Sequence, residues 1–147
     1  ADEEVIFDHY KGLAYFHSFR NGSKKTIALN KDAQDALSCL YLFRTWNMVL
    51  NREYTMSVHA DEKNWMLKID VIRNENKLKL GKLGQWRAIL VEPKAQYQGI
   101  FIRRGKMYVW ISADKRRLPL LMKSKVPFGK VSATLVNIDY VREMKKV

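Results

Sequence analysis

The β-character of this chain is plainest in YVWISADKRRLPLLMKSKVPFGKVSATLVNIDY, Tyr108–Tyr140. Counting from Met107, apolar residues recur at every second position: Met107, Val109 and Ile111, then Leu118, Leu120 and Met122, then Val131, Ala133 and Leu135. Period two is the mark of a strand with one face on a core and the other in water. The runs are separated by Asp114–Arg117 and by Pro127–Gly129, both built from turn-forming residues. Connections this short join antiparallel neighbours. Two features disturb the pattern: Lys115, Arg116 and Arg117 crowd one turn, and Pro119 stands inside an apolar alternation. Proline cannot donate to a ladder, so its strand is expected at an edge, beginning near the proline, or bulged there. On that reading the charges and Pro119 together guard an edge against pairing with another chain.

The same period continues upstream in Tyr54, Met56 and Val58, in Leu67, Ile69 and Val71, and in Ile100 and Ile102. Turn signals separate these runs at 61–64, 74–76, 83–84 and 104–105. GLAYFHSFRNGSKKTIAL reads as two strands joined at Asn21-Gly22, a preferred hairpin pair. One segment, DAQDALSCLYLFRTWNMVL, has helical spacing in Ala33, Ala36, Leu37, Leu40 and Tyr41. Asp32 is the expected N-cap, with Asp35 in the first turn beside the positive end of the helix dipole. The fold expected is mostly β with one main helix. A curved antiparallel up-and-down sheet of about seven to nine strands, an open or partial barrel, would pack on that helix.

The 147 residues suit a single domain, 1–147. A hydrophobic content of 47% argues against disorder. No apolar run approaches the roughly 20 residues of a transmembrane helix. Lys and Arg number 27 against 15 Asp and Glu, a net charge of +12 that favours anionic partners but does not choose among them. The single cysteine, Cys39, excludes an intramolecular disulfide and leaves the redox compartment open. The chain begins ADEEVIF, without Met, and is expected to be a processed or trimmed product.

Enzymatic signals are weak. His9, His17 and His59 lack metal-ligand spacing, so no metal or cofactor is expected. No nucleophile elbow is present, and FGKVS lacks the upstream glycine of a phosphate-binding loop. Nucleic acid is disfavoured because no recognition motif accompanies the charge. On a helical wheel Arg44 falls in the stripe of Ala33, Leu37, Leu40, Tyr41 and Met48. A buried guanidinium needs a partner, and Asp70, Glu92 and Asp114 are the candidates. It reads either as a pin between helix and sheet, which is preferred, or as an anion-binding group in a cavity. Arg103, Lys115, Arg116 and Arg117 read either as solvated charges or as contacts for phosphate or carboxylate. Trp46, Trp65, Trp86 and Trp110 read as core residues or as a ligand platform.

Two segments resemble the bacterial family DUF3108, a domain of unknown function. QDALSCLYLFR, Gln34–Arg44, is similar to its helix motif through Gln34, Asp35, Leu37, Ser38, Leu40, Tyr41 and Arg44. The segment from Ile100 to Leu135 is similar to its hairpin motif through Gly105, Trp110, Asp114, Arg117, Pro119, Gly129, Val131, Ala133 and Leu135. Ser112 stands where Thr is usual. Asp35, Asp114, Pro119 and Gly129 are accordingly expected to be structural. The resemblance implies an exported protein of the periplasm or cell envelope, with a barrel-like sheet of which this chain is the C-terminal part. It implies no activity.

Charge, tryptophans and resemblance together give the functional expectation. It is a non-catalytic envelope protein binding an anionic or amphiphilic ligand, a lipid or cell-wall glycan, through Arg44, Arg103, Trp110, Lys115, Arg116 and Arg117. The alternative is a scaffold that pairs through a β-edge with another envelope protein. An enzyme acting on envelope polymers would need an unrecognised carboxylate pair, such as Asp70 with Glu92, or acids from outside this chain.

Overall fold

A computed structural model describes residues 2–101, 105–126 and 129–139. Among them the chain is mostly β with one α-helix, as the alternation requires. The strands are β1 (Glu3–Asp8), β2 (Leu13–Ser18), β3 (Lys24–Ala28), β4 (Glu53–Ala60), β5 (Lys63–Lys79), β6 (Gln85–Tyr97), β7 (Ile100–Phe101), β8 (Lys106–Ser112), β9 (Pro119–Val126) and β10 (Gly129–Thr134). The helix α1 spans Ser38–Arg44. The strands form two antiparallel sheets, neither closed into a barrel. The small sheet runs β1-β2-β3; the large one runs β10-β9-β8-β6-β5-β4, with β7 paired beside β6.

The helix is shorter than its spacing suggests. Asp32 has φ 57, a left-handed conformation that an N-cap does not take. Asp35 holds that role instead. Its carbonyl accepts the first helical bond from the Cys39 N–H, and its Oδ1 accepts from the N–H groups of Leu37 and Ser38 at 2.7 and 2.8 Å. Ser38 Oγ accepts the Asp35 N–H in return, a capping box with serine in the reciprocal position. Leu37 and Tyr41 are 65% and 59% exposed, so the residue that anchors α1 is Phe43. Phe43 lies in one core cluster with Met56, Val58, Ile69, Val71, Ile89, Val91, Val109 and Ile111, drawn from one face of the large sheet. A second cluster occupies the other face: Leu80, Ala88, Leu90, Trp110 and Leu120.

The 74–76 segment is not a turn. β5 runs through it for 17 residues, with register shifts between Val71 and Arg73 and between Glu75 and Leu78. A bulge keeps a long strand paired while bending it, and a local run of Asn and Glu does not distinguish a bulge from a turn. The 83–84 signal does mark a turn, a 3-10 segment at Gly81–Leu83 closed by Gly84 at φ 76. The hairpin at Asn21-Gly22 is wider than two residues. β2 ends at Ser18 and β3 begins at Lys24, with Asn21 Oδ1 accepting the Ser23 N–H.

Of the three positions expected for Pro119, the strand start and the bulge are found, and the edge that it was to guard is corrected. β9 is an interior strand, paired to β8 on one side and β10 on the other. Pro119 is tolerated because it opens the strand and sits at a register shift, opposite Ile111, where Trp110 pairs with Leu121. The unpaired edge at that end of the sheet belongs to β10, whose six residues are all exposed. Gly129 begins β10 at φ 151, paired to Val126.

Candidate functional site

The turn between β8 and β9 is held together by its own side chains. Asp114 Oδ1 accepts from the Ser112 hydroxyl at 2.8 Å and from the Arg116 N–H at 3.1 Å. Asp114 Oδ2 accepts from Arg116 Nε and Nη2 at 3.0 and 2.6 Å. Ser112 Oγ also accepts the Leu118 N–H, and Arg117, at φ 48, donates Nη1 to the Ala113 carbonyl. Arg44 reaches in from α1 and donates Nε and Nη2 to the Arg116 carbonyl at 3.2 and 2.9 Å. Its guanidinium also stacks 5.7 Å from the Tyr41 ring. Arg44 is thus a pin between helix and turn, but its partner is a backbone carbonyl rather than Asp70, Glu92 or Asp114. The carboxyl of Asp114 is held below the usual carboxylate range, first by the Arg116 guanidinium and then by the Ser112 hydroxyl, against the opposing effect of burial.

The structure therefore gathers Arg44, Asp114, Lys115, Arg116 and Arg117, and engages each of the three arginines with protein groups. A hollow of about 560 Å³ beside them is lined by Leu83, Gln85, Trp86, Arg87, Asp114 and Arg116. Arg116 covers the face of Trp86 at 5.2 Å, which leaves little stacking surface for a ligand. Trp110 is not part of this site: it is 9% exposed, within the second core cluster, with Lys123 Nζ 5.4 Å over its ring. Arg103 lies outside the described residues. Asp70 and Glu92 face each other across β5 and β6, but Lys94 holds both, at 2.6 and 3.7 Å. A cation between two carboxylates stabilises both as anions and works against an acid–base pair. No group of three His, Cys, Asp or Glu placed to hold a metal occurs among the described residues.

A larger opening lies between the small sheet and the first hairpin of the large one. Its volume is about 800 Å³. One wall is a face of the small sheet: Glu3, Val5 and Phe7 on β1, Ala14 and Phe16 on β2, and Ile27 on β3. These residues share a face because Val5 pairs with Phe16, Phe7 with Ala14, and Ala14 with Ile27. The opposite wall is Asp35 and Ala36 ahead of α1, His59 and Ala60 at the end of β4, and the turn residues Asp61 and Glu62. Three links tie the walls. Phe7 meets the buried His59 edge-on at 5.5 Å, Lys25 pairs with Glu62 at 2.7 Å, and Asn64 donates to the Ala28 carbonyl at 2.7 Å. His59 is fixed by Nδ1 contacting Asn64 Oδ1 at 2.9 Å.

The charged residues that line this cleft are carboxylates: Glu3, Asp35, Asp61 and Glu62. The Asp35 carboxyl is held below its usual range, chiefly by the backbone N–H of Ser38, with burial opposing. Asp61 and Glu62 form a two-residue hairpin loop between Ala60 and Lys63, both left-handed at φ 51 and 58. Such a loop favours Asn-Gly, so two acidic residues there carry backbone strain. The sequence identified 61–64 as a turn but not as a wall. The missing signal was contact with the small sheet, 30 to 60 residues earlier in the chain.

Fold and cleft together define a two-sheet, mostly β protein with a preformed apolar cleft between one sheet and the hairpin of the other. The chain belongs to DUF3108, a family described as protein of unknown function, whose family model matches residues 1–136. Comparison with curated proteins and with solved structures finds no match.

Proposed function

We propose that this protein is a non-catalytic binding protein of the bacterial periplasm or cell envelope that holds the apolar part of an amphiphile. The supporting observation is the cleft of about 800 Å³ with its floor of Val5, Phe7, Ala14, Phe16 and Ile27. Preformed concave sites of a few hundred Å³ or more, apolar with a few placed polar groups, are where small ligands bind. The rim refines the ligand class. Of the four lining carboxylates Glu62 is paired with Lys25 and Asp35 caps α1, but Glu3 and Asp61 form no ion pair with a described residue. This acidic rim disfavours an anionic head group and favours a cationic or hydroxyl-rich one. The anionic half of the sequence expectation finds less support, because the arginines around Asp114 are engaged with protein groups.

The test is a fluorescence titration with the uncharged apolar probe N-phenyl-1-naphthylamine. Saturable binding at one site, weakened at least tenfold by Ala36→Trp, is the expected result. Ala36 is exposed at the cleft mouth, so the new ring would fill space without entering a core. Non-saturable binding, or equal binding by the variant, would overturn the reading. The scaffold alternative now rests on β10, the exposed terminal strand, in place of the Pro119 segment. Co-purification of a polypeptide paired to β10, with the cleft empty, would favour it.

A further inference from the structure

Three adjacent strands place lysines directly opposite one another. Lys106 on β8 pairs with Lys125 on β9, and Lys125 pairs with Lys130 on β10. Opposed residues of an antiparallel ladder project on the same face, with Cβ atoms about 4.5–5.5 Å apart. Lys123, two residues from Lys125, adds a fourth ammonium on that face, over the Trp110 ring. Lys106, Lys125 and Lys130 are exposed, and none forms an ion pair with a described residue. The strand carboxylates of the same face lie on β4, β5 and β6 and are paired there: Glu53 with Lys68, Glu75 with Arg73, and Asp70 and Glu92 with Lys94.

Like charges opposed in a ladder destabilise it. Protection of a sheet edge explains lysine on an edge strand. It accounts for Lys130, and for Lys106, which lies outside the Val109–Ser112 stretch of β8 that pairs with β6, but not for Lys125, which is paired to β8 on one side and β10 on the other. We infer that this row is a docking surface for an anionic phospholipid bilayer. A row of lysines on a sheet face presents point charges without the fork geometry that selects a single phosphate. That suits a laterally extended, negatively charged surface, to which each lysine contributes attraction that falls away within a Debye length. The inference stands apart from the cleft and holds whether or not the cleft takes a ligand.

The experiment is co-sedimentation of the full chain with vesicles of phosphatidylcholine alone or mixed with phosphatidylglycerol. Wild type is expected to sediment with the mixed vesicles and to be released by salt. The triple variant Lys106→Gln/Lys125→Gln/Lys130→Gln is expected to bind about a hundredfold more weakly, at about fivefold per lysine. A control of equal charge, Lys31→Gln/Lys77→Gln/Lys82→Gln, is expected to lose less than about threefold, because none of its lysines is opposed to another in the ladder. Equal loss in both variants, or no preference for the anionic vesicles, would overturn the proposal. Inorganic phosphate at matched ionic strength is expected to leave binding unchanged; displacement by it would replace the bilayer with a discrete phosphate site. The row variant is expected to melt no lower than wild type, and a lower melting temperature would identify the row as structural instead.

Discussion

Two charged turns in this molecule use their carboxylates in opposite ways. At 112–118, Asp114 accepts from Ser112, from Arg116 and from the Arg116 backbone, and Arg44 closes the outside of the turn through the Arg116 carbonyl. Its charges serve the fold. At 61–62, two carboxylates sit on strained left-handed backbone and line an opening of about 800 Å³. Only the Lys25–Glu62 pair ties that turn to the small sheet by charge, and the pair is largely exposed. Exposed pairs contribute about 0–1 kcal/mol, so stability is a poor reason for this arrangement. Backbone strain beside the cleft supports the proposal that this turn is held for binding.

The contrast predicts a double dissociation. The largest effect is expected for Asp114→Ala, which strips the Ser112 hydroxyl and the Arg116 guanidinium of their acceptor. Stability should fall by about 1–3 kcal/mol in denaturant titration while probe binding in the cleft stays unchanged. The reverse pattern is expected for Asp61→Asn with Glu62→Gly, which gives the hairpin its preferred residues. Stability should rise by about 1 kcal/mol, and a cationic amphiphile should bind more weakly. A variant that is stabilised without losing affinity would detach the strain from function. Arg44→Gln removes two donors to one carbonyl and the Tyr41 contact, and a loss of about 1 kcal/mol is expected on chemical unfolding.

The smallest effect concerns pH. Asp35 and Asp114 both have carboxyls held below the usual range, so the folded state binds their protons more weakly than the unfolded state does. Their contribution is therefore complete above the unfolded value of about 3.9 and is lost as pH falls through the folded values. Melting temperature followed from about pH 5 downward should drop, and Asp114→Asn should flatten part of that slope while lowering stability at neutral pH. An unchanged slope in the variant would remove Asp114 from the account.

The strands were readable from the sequence because period-two alternation reports directly which face is buried, as Val109 and Ile111 or Met56 and Val58 show. The helix was readable in place but not in length: Ala33 is buried and Leu37 exposed, the reverse of a continuous amphipathic stripe. Composition cannot reveal that Asp32 takes a left-handed conformation and delays the start. Of the three places open to Pro119, the strand start and the bulge hold and the edge does not, because a proline that opens a strand beside a register shift leaves the same local pattern as one on an edge. That Asp114, Arg116 and Arg117 share one turn is read directly from the sequence, whereas the arrival of Arg44 at the Arg116 carbonyl is not. The acceptors of Arg44 and Arg117 were hidden, because they are backbone carbonyls, which carry no residue signal. The cleft was missed for a similar reason. Its walls come from β1–β3 and from residues 35–36 and 59–62, and no local spacing predicts that these meet.

The most direct measurement is a calorimetric titration of decylammonium and decanoate, two equal chains with opposite heads, into the wild-type protein. The overall charge of +12 favours decanoate everywhere on the surface, so only a local acidic rim can reverse the preference. Decylammonium is expected to bind at one site at least tenfold more tightly than decanoate, and Ala36→Trp should remove that binding. Tighter binding of decanoate, or equal binding of the two, would contradict the cleft as the ligand site.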